Sequence, residues 1–448
     1  MYKKINKLFP ISILLFFAVE LFLTKNGQFQ IGIIVYLIYS FILYSIDKRY
    51  IISFFVFNLP LLPLVSTDYK LFGIAGPQEI IYGFSMMTLF QLSLGNRTKL
   101  NEFQKIAIKF VYFLLFFNVY VITKDILVGL DSEGDRGLFY IFKNFIRFFL
   151  YYYSLVLLIK VIYQKEVYNF IIIGMKLSLI TLVLSMIFSK FLVYMGVGIG
   201  HRVDEEILAD KGTRFVGLYG GGGDENSAGI FLAGVFGFFI ALYEKTGNIK
   251  SYVVYLGFAV FGVLLTGSRT AFIALALIIL IFLITNKSNV SRFAILIAIV
   301  FFYFTFSKQV ELVTERFLDD SAFAAVDPNQ KGRVGKWIIY IDWILNNPET
   351  LIYGNQSKID YNRAPHNYFI IVLYQTGIIP LIVLGILFIS LLKKIRIYMN
   401  AGILKSIYYI IPFPLILLTV NSFGSSIYLW IYLPMGAVFF NAIKNQSK

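Results

Sequence analysis

The sequence predicts an all-α, polytopic transmembrane protein with about fourteen spans (twelve to fourteen) and a large, partly helical extracytoplasmic loop. Three observations predict it. First, 58% of the 448 residues are hydrophobic and 15% are charged, with a mean hydropathy of +0.75. Soluble domains run about 45–50% apolar and about 25% charged, so a water-soluble fold of this length could not hide so much apolar surface. Second, the apolar residues fall in runs of roughly 16–25 without period-2 alternation, which excludes a barrel and leaves spanning helices, each satisfying its own backbone hydrogen bonds. Third, Lys and Arg gather in alternate short loops, the bias that marks cytoplasmic loops.

The expected spans, in order, are 8–23, 29–46, 50–66, 71–94, 106–123, 138–160, 167–195, 226–243, 252–266, 270–285, 293–307, 366–391, 403–420 and 424–441. Met1-Tyr2-Lys3-Lys4 precedes the first run and no small-residue cleavage site follows it, so that run reads as a retained span rather than a signal peptide. With the N-terminus in the cytoplasm, the basic groups Lys48/Arg49, Arg97/Lys99/Lys105, Lys160/Lys165, Lys245/Lys250, Lys287/Arg292, Lys393/Lys394/Arg396 and Lys444/Lys448 all fall inside. The alternation holds at every turn and puts both termini in the cytoplasm. Two long loops fall outside, over 196–225 and 308–365. The second contains the stretch from Arg333 to Asn346, apolar at helical spacing and stopped by Asn347-Pro348. It reads as an amphipathic helix on the membrane surface with tryptophans at the interface. No internal repeat or low-complexity linker divides the chain, so residues 1–448 read as a single membrane domain with one external cap.

Composition also narrows the chemistry. The absence of cysteine rules out disulfides, thiolate metal sites and cysteine nucleophiles, and two histidines, His201 and His366, make a multi-histidine metal site improbable. The net charge of +15 reads as positive-inside bias rather than as a nucleic-acid footprint. No metal or other cofactor is expected, and no nucleic-acid partner.

Four residues stand out, and the topology puts all four on one face: Arg214, Arg269, Arg333 and His366. Arg269 lies at a tight hairpin between two spans, and His366 lies where the long loop re-enters the membrane. Arginine is a permanently charged planar fork suited to bidentate contact with phosphate. A histidine with a pKa near 6.5 can take a proton at neutral pH. Together they describe a transferase acting on a lipid-diphosphate donor, with arginines holding the leaving diphosphate. Each residue also has a structural alternative: snorkelling for Arg269, ion pairs for Arg333 and Arg214, and a helix cap for His366. Lys143 and Arg147 lie one turn apart near the outer end of the sixth span, where an intramembrane cation is a functional candidate. The run Gly220–Gly223 lacks the context and the Lys of a nucleotide-binding loop. Asp131, Glu133 and Asp135 lack metal-loop spacing and read as a solvated loop.

At these residues the sequence resembles the O-antigen ligase and O-antigen polymerase family of bacterial membrane glycosyltransferases. Arg214-Phe-Val-Gly with Asn226-Ser-Ala is similar to the family's Arg-x-x-Gly…Asn-x-x-Ala segment. Leu265-Thr-Gly-Ser-Arg-Thr-Ala-Phe is similar to its Gly-Ser-Arg segment opening a span. Gly332-Arg-Val-Gly-Lys-Trp, with Pro365-His-Asn-Tyr-Phe and Gln375-Thr-Gly, is similar to its external loop and re-entry helix. The likeness covers about residues 210–390. It implies His366 as the base or acceptor-positioning residue and Arg214, Arg269 and Arg333 as diphosphate-handling residues. Asn226, Asn367, Tyr368 and Arg147 are further substrate-binding candidates.

The expected activity is a surface polysaccharide polymerase, for O-antigen or capsule. It would move a glycan from undecaprenyl diphosphate to the terminal sugar of a lipid-linked repeat unit. A ligase acting on lipid A core in lipopolysaccharide biosynthesis is the alternative with the same chemistry. A flippase or transporter is the alternative of another class; it would predict ionisable residues near mid-membrane, broken helices and repeat symmetry between halves, whereas no such repeat is visible and the distinctive residues cluster at one face. Expected partners are the undecaprenyl-diphosphate-linked oligosaccharide, membrane lipid and a chain-length regulator protein. The expected location is the bacterial cytoplasmic (inner) membrane, with the active face extracytoplasmic.

Overall fold

Every described element is an α-helix, and among the described residues there is no strand. The computed structural model describes residues 8–58, 76–94, 100–127, 137–161, 165–188, 225–246, 251–286, 333–355 and 367–399, with isolated positions elsewhere. The helices are α1 (Leu8–Lys25), α2 (Phe29–Asp47), α3 (Tyr50–Asn58), α4 (Pro77–Leu94), α5 (Glu102–Leu127), α6 (Gly137–Val161), α7 (Lys165–Ile187), α8 (Glu225–Thr246), α9 (Val253–Thr266), α10 (Arg269–Thr285), α11 (Arg333–Asn346), α12 (Pro348–Tyr353), α13 (Tyr368–Thr376) and α14 (Ile378–Met399).

Three of these carry stretches long and apolar enough to cross a membrane: Phe29–Asp47, Glu102–Val121 and Val167–Ile187. The apolar stretches of α1, α8, α9, α10 and α14 are shorter. Large apolar side chains such as Leu15, Phe22, Phe41, Phe116 and Ile386 stand exposed along them, where lipid is the solvent that makes such exposure favourable. The spans expected at 403–420 and 424–441, most of that at 293–307, and the loop at 196–225 save its last residue lie outside the described residues.

The helices form two compact units, one of α1–α4 and α7–α9, the other of α5, α6 and α10–α14. In the first, an aromatic cluster joins α1, α2 and α3. Phe16 meets Tyr36 edge-on at 4.8 Å and stacks on Tyr39 at 4.4 Å, and Phe54 closes the group at 5.1 Å from both Phe16 and Tyr39. The buried Tyr36 hydroxyl donates to Asn58 Oδ1 (2.9 Å), and Asn58 Nδ2 donates to Phe54 O (2.8 Å), so two polar groups inside an apolar bundle satisfy one another. Helix α3 ends there, two residues before Pro60. Against it lies α7, close enough that a Cβ on Gly174 would sit 2.6 Å from Ser53 O.

In the second unit α5 begins with a reciprocal cap. Asn101 N–H donates to Gln104 Oε1 (3.0 Å) and Gln104 N–H donates to Asn101 Oδ1 (2.8 Å), satisfying two amides that the helix start leaves open. Gln104 Nε2 also donates to Ile159 O (2.7 Å), tying α5 to α6. Further up, Asn118 Nδ2 donates to Tyr152 OH (2.9 Å). Helix α14 packs along α5, and α11, α12 and α13 pack on one another.

Two departures from the sequence expectation have local causes. The span expected over 366–391 is broken at Gly377, whose φ of +82° ends α13 before α14 begins; a left-handed residue cannot continue a right-handed helix. The amphipathic helix over 333–346 is present and stops at Asn347, with Pro348 opening α12. Trp343, however, does not serve only as an interface anchor. Its ring meets Tyr374 of α13 edge-on at 5.1 Å.

Candidate functional site

Arg269 is placed by the turn that precedes it. The α9 helix ends at Thr266, and Gly267 caps it in the left-handed region (φ 58°), its N–H donating to Leu264 O (3.1 Å). The buried Thr266 hydroxyl donates to Val263 O (2.7 Å) and accepts from Ser268 N–H (3.3 Å). Arg269 then opens α10 and is half-buried. The Thr-Gly-Ser stretch thus ends one helix, and Arg269 stands in the first turn of the next.

Arg333 opens α11. That helix is held by a small core in which Tyr340 and Ile344 of α11 meet Ile371 and Tyr374 of α13, with Trp343, Leu351, Ile370 and Leu373 packed around them. Tyr340 and Tyr374 meet edge-on at 4.8 Å. Arg333 therefore sits about two helical turns before the seam with α13.

Helix α13 begins two residues after His366, with Asn367 between them as its N-cap. The Asn367 side-chain carbonyl accepts from Phe369 N–H (3.1 Å) and Ile370 N–H (3.3 Å). This is the capping role that the sequence offered as the alternative for His366, and its neighbour fills it. Tyr368 is 2% exposed, and its ring meets Phe117 of α5 at 6.0 Å. Both residues thereby fix how α13 starts and against what it lies.

Arg147 lies half-buried on α6, and Asn226 lies in the first turn of α8. Arg214 and His366 lie outside the described residues. The second unit thus holds Arg147, Arg269, Arg333, Asn367 and Tyr368, and it joins the helix opened by Arg333 to the helix that follows His366. Among the described residues no group of three or more His, Cys, Asp or Glu is arranged to hold a metal.

One residue of this region escaped sequence reasoning. Lys124, near the end of α5, donates from Nζ to Asn355 O (2.5 Å) and Gln375 O (2.6 Å). A lone lysine at a span end carries no motif, and its partners are backbone carbonyls 231 and 251 residues further on, so nothing in the sequence advertises the pairing.

Apolar helices with lipid-type surface exposure, turned by short capped hairpins and carrying arginines at helix starts, define a helical membrane protein. Residues 254–385 match the family model described as O-Antigen ligase. Arg269, Arg333 and His366 all lie inside that segment, and the match bears out the resemblance to the O-antigen ligase and polymerase family read from them. The match supports a function of the O-antigen ligase or polymerase type. A search of the curated proteins returns no match.

Proposed function

We propose that the chain is a surface polysaccharide polymerase. It transfers a glycan from undecaprenyl diphosphate to the terminal sugar of a lipid-linked repeat unit at the extracytoplasmic face of the bacterial inner membrane. The observation that supports the glycan-transfer part of this reading is the extent of the O-antigen ligase match. Its residues 254–385 take in Arg269, the amphipathic helix opened by Arg333, and His366 with the helix that follows it.

In this reading an acceptor hydroxyl oxygen attacks the anomeric carbon of the donor. The bond from that carbon to the diphosphate oxygen breaks, and undecaprenyl diphosphate leaves with the electron pair. His366 takes the proton of the attacking hydroxyl. Arg214, Arg269 and Arg333 hold the diphosphate and stabilise the charge that grows on it, as a permanently charged fork can do without a metal. Asn226 and Arg147 are further contacts to the glycan or its carrier. Asn367 and Tyr368 serve the site by fixing the start of the helix after His366. All of the spans, about fourteen, with both termini in the cytoplasm, belong to the same proposal.

The ligase reading shares every step except the acceptor. Purified chain supplied with lipid-linked repeat units separates the two. A ladder of products is the result expected. A single transfer to lipid A core, with no ladder, would assign the ligase instead. The same assay tests the site: His366→Ala is expected to lower transfer by at least about 100-fold, the usual scale for losing a general base.

A further inference from the structure

Lys124 stands at a crossing of two backbones in the second unit. Gly354, just past α12, and Gly377, just past α13, both have positive φ (+73° and +82°) and extended ψ, a region almost reserved for glycine. Each lies where only hydrogen fits. A Cβ on Gly354 would overlap the Gln375 carbonyl, and a Cβ on Gly377 would overlap the Ile352 carbonyl. The two chain segments therefore press backbone to backbone, reciprocally. Asn355 N–H donates to Tyr374 O (2.6 Å) across the crossing, and Asn355 Nδ2 bonds the Tyr374 hydroxyl.

The Lys124 ammonium caps this crossing. Of its acceptors, Gln375 O lies in the last turn of α13, where a helix leaves carbonyls unpaired and carries partial negative charge, and Asn355 O lies two residues past the end of α12. One cation thus meets carbonyls of both crossing segments, with charge-assisted bonds stronger than neutral ones. The crossing in turn is continuous with the Tyr340–Ile344–Ile371–Tyr374 core that joins α11 to α13.

The geometry points to Lys124 as a positioning residue for glycan transfer. Anchored on α5, it holds the crossing that keeps the helix of Arg333 in fixed register with the helix that follows His366. The inference rests on the polymerase or ligase reading for its catalytic consequence, while the anchor itself rests on geometry alone. It assigns Lys124 no contact with substrate.

The test exploits the absence of native cysteine. Spin labels on Leu345→Cys, on an exposed position of α11, and Tyr120→Cys, on an exposed position of α5, report the distance between cap and membrane helix in the full chain. Lys124→Met, which keeps the aliphatic stem, is expected to broaden a narrow distance distribution and to lower kcat by about 10- to 100-fold, the scale of small misplacements at a reacting centre. Lys124→Arg, which keeps two donors, is expected to retain both the narrow distribution and most of the turnover. Gly377→Ala, which breaks the crossing without touching Lys124, is expected to behave like Lys124→Met. An unchanged distribution in Lys124→Met overturns the anchor. A broadened one with full turnover overturns the positioning role. A parent chain inactive on every lipid-linked glycan removes the functional reading, and the distance measurement still decides the anchor.

Discussion

Asn367 shows how a residue beside a candidate base can also carry a local structural role. Its position next to His366 made it a substrate-binding candidate, yet its side-chain oxygen already accepts two amide protons of α13. Losing such a cap costs about 1 kcal/mol. Asn367→Ala is therefore expected to lower thermal stability by that order and to reduce transfer, and Asn367→Ser, which keeps a capping oxygen, to restore both. Failure of Ser to rescue transfer in a stable protein would show that Asn367 touches substrate. The arginines call for the opposite outcome. Arg269→Lys and Arg333→Lys are expected to recover little of the activity lost in the alanine variants, because a point charge cannot replace a bidentate fork. Full activity in Arg333→Ala would leave that side chain with an ordinary surface role. The sequence singled out these residues by type and spacing. It could not single out Lys124, whose partners are main-chain carbonyls and so leave no trace in residue identity.

At the scale of elements, hydrophobic run length located most of the described helices to within a few residues. The expected spans 29–46, 138–160, 252–266 and 270–285 correspond to α2, α6, α9 and α10, because an apolar run of spanning length has one stable conformation in lipid. The method failed where apolar residues continue through a break. Gly377 follows only a short polar pair, Gln375-Thr376, inside a longer apolar stretch, and its left-handed backbone, pressed against the Ile352 carbonyl, ends the helix there. Helix α3 is a second case, ending at Asn58 within an expected span of 50–66. Close packing of α3 on α7 carries its own prediction. A methyl at Gly174 would meet backbone at Ser53 O, 2.6 Å away, and Val56 Cβ at 2.7 Å, and neither can swing aside as the end of a flexible side chain can. Gly174→Ala is expected to destabilise the first unit by about 1–3 kcal/mol, the usual cost of overpacking, read as a lower midpoint in thermal unfolding of the detergent-purified chain. An unchanged midpoint would mean that α3 and α7 can separate at no cost.

For the whole molecule, composition pointed to a helical membrane protein, and three short motifs pointed to the family whose model matches part of the chain. The matched segment, residues 254–385, agrees with the motifs inside the region that resembled the family, about 210–390. What composition does not encode is sidedness at the level of individual side chains, and the proposed chemistry depends on it. A lipid diphosphate can meet a base and its clamping arginines only if they face one aqueous surface. Because the chain contains no cysteine, Arg269→Cys and His366→Cys each provide a single reactive thiol. Labelling with a membrane-impermeant maleimide in right-side-out vesicles is predicted to reach both from the extracytoplasmic side before permeabilisation. If one thiol reacts from outside and the other only after the membrane is opened, the two residues cannot share a site and the transferase mechanism proposed for them is contradicted.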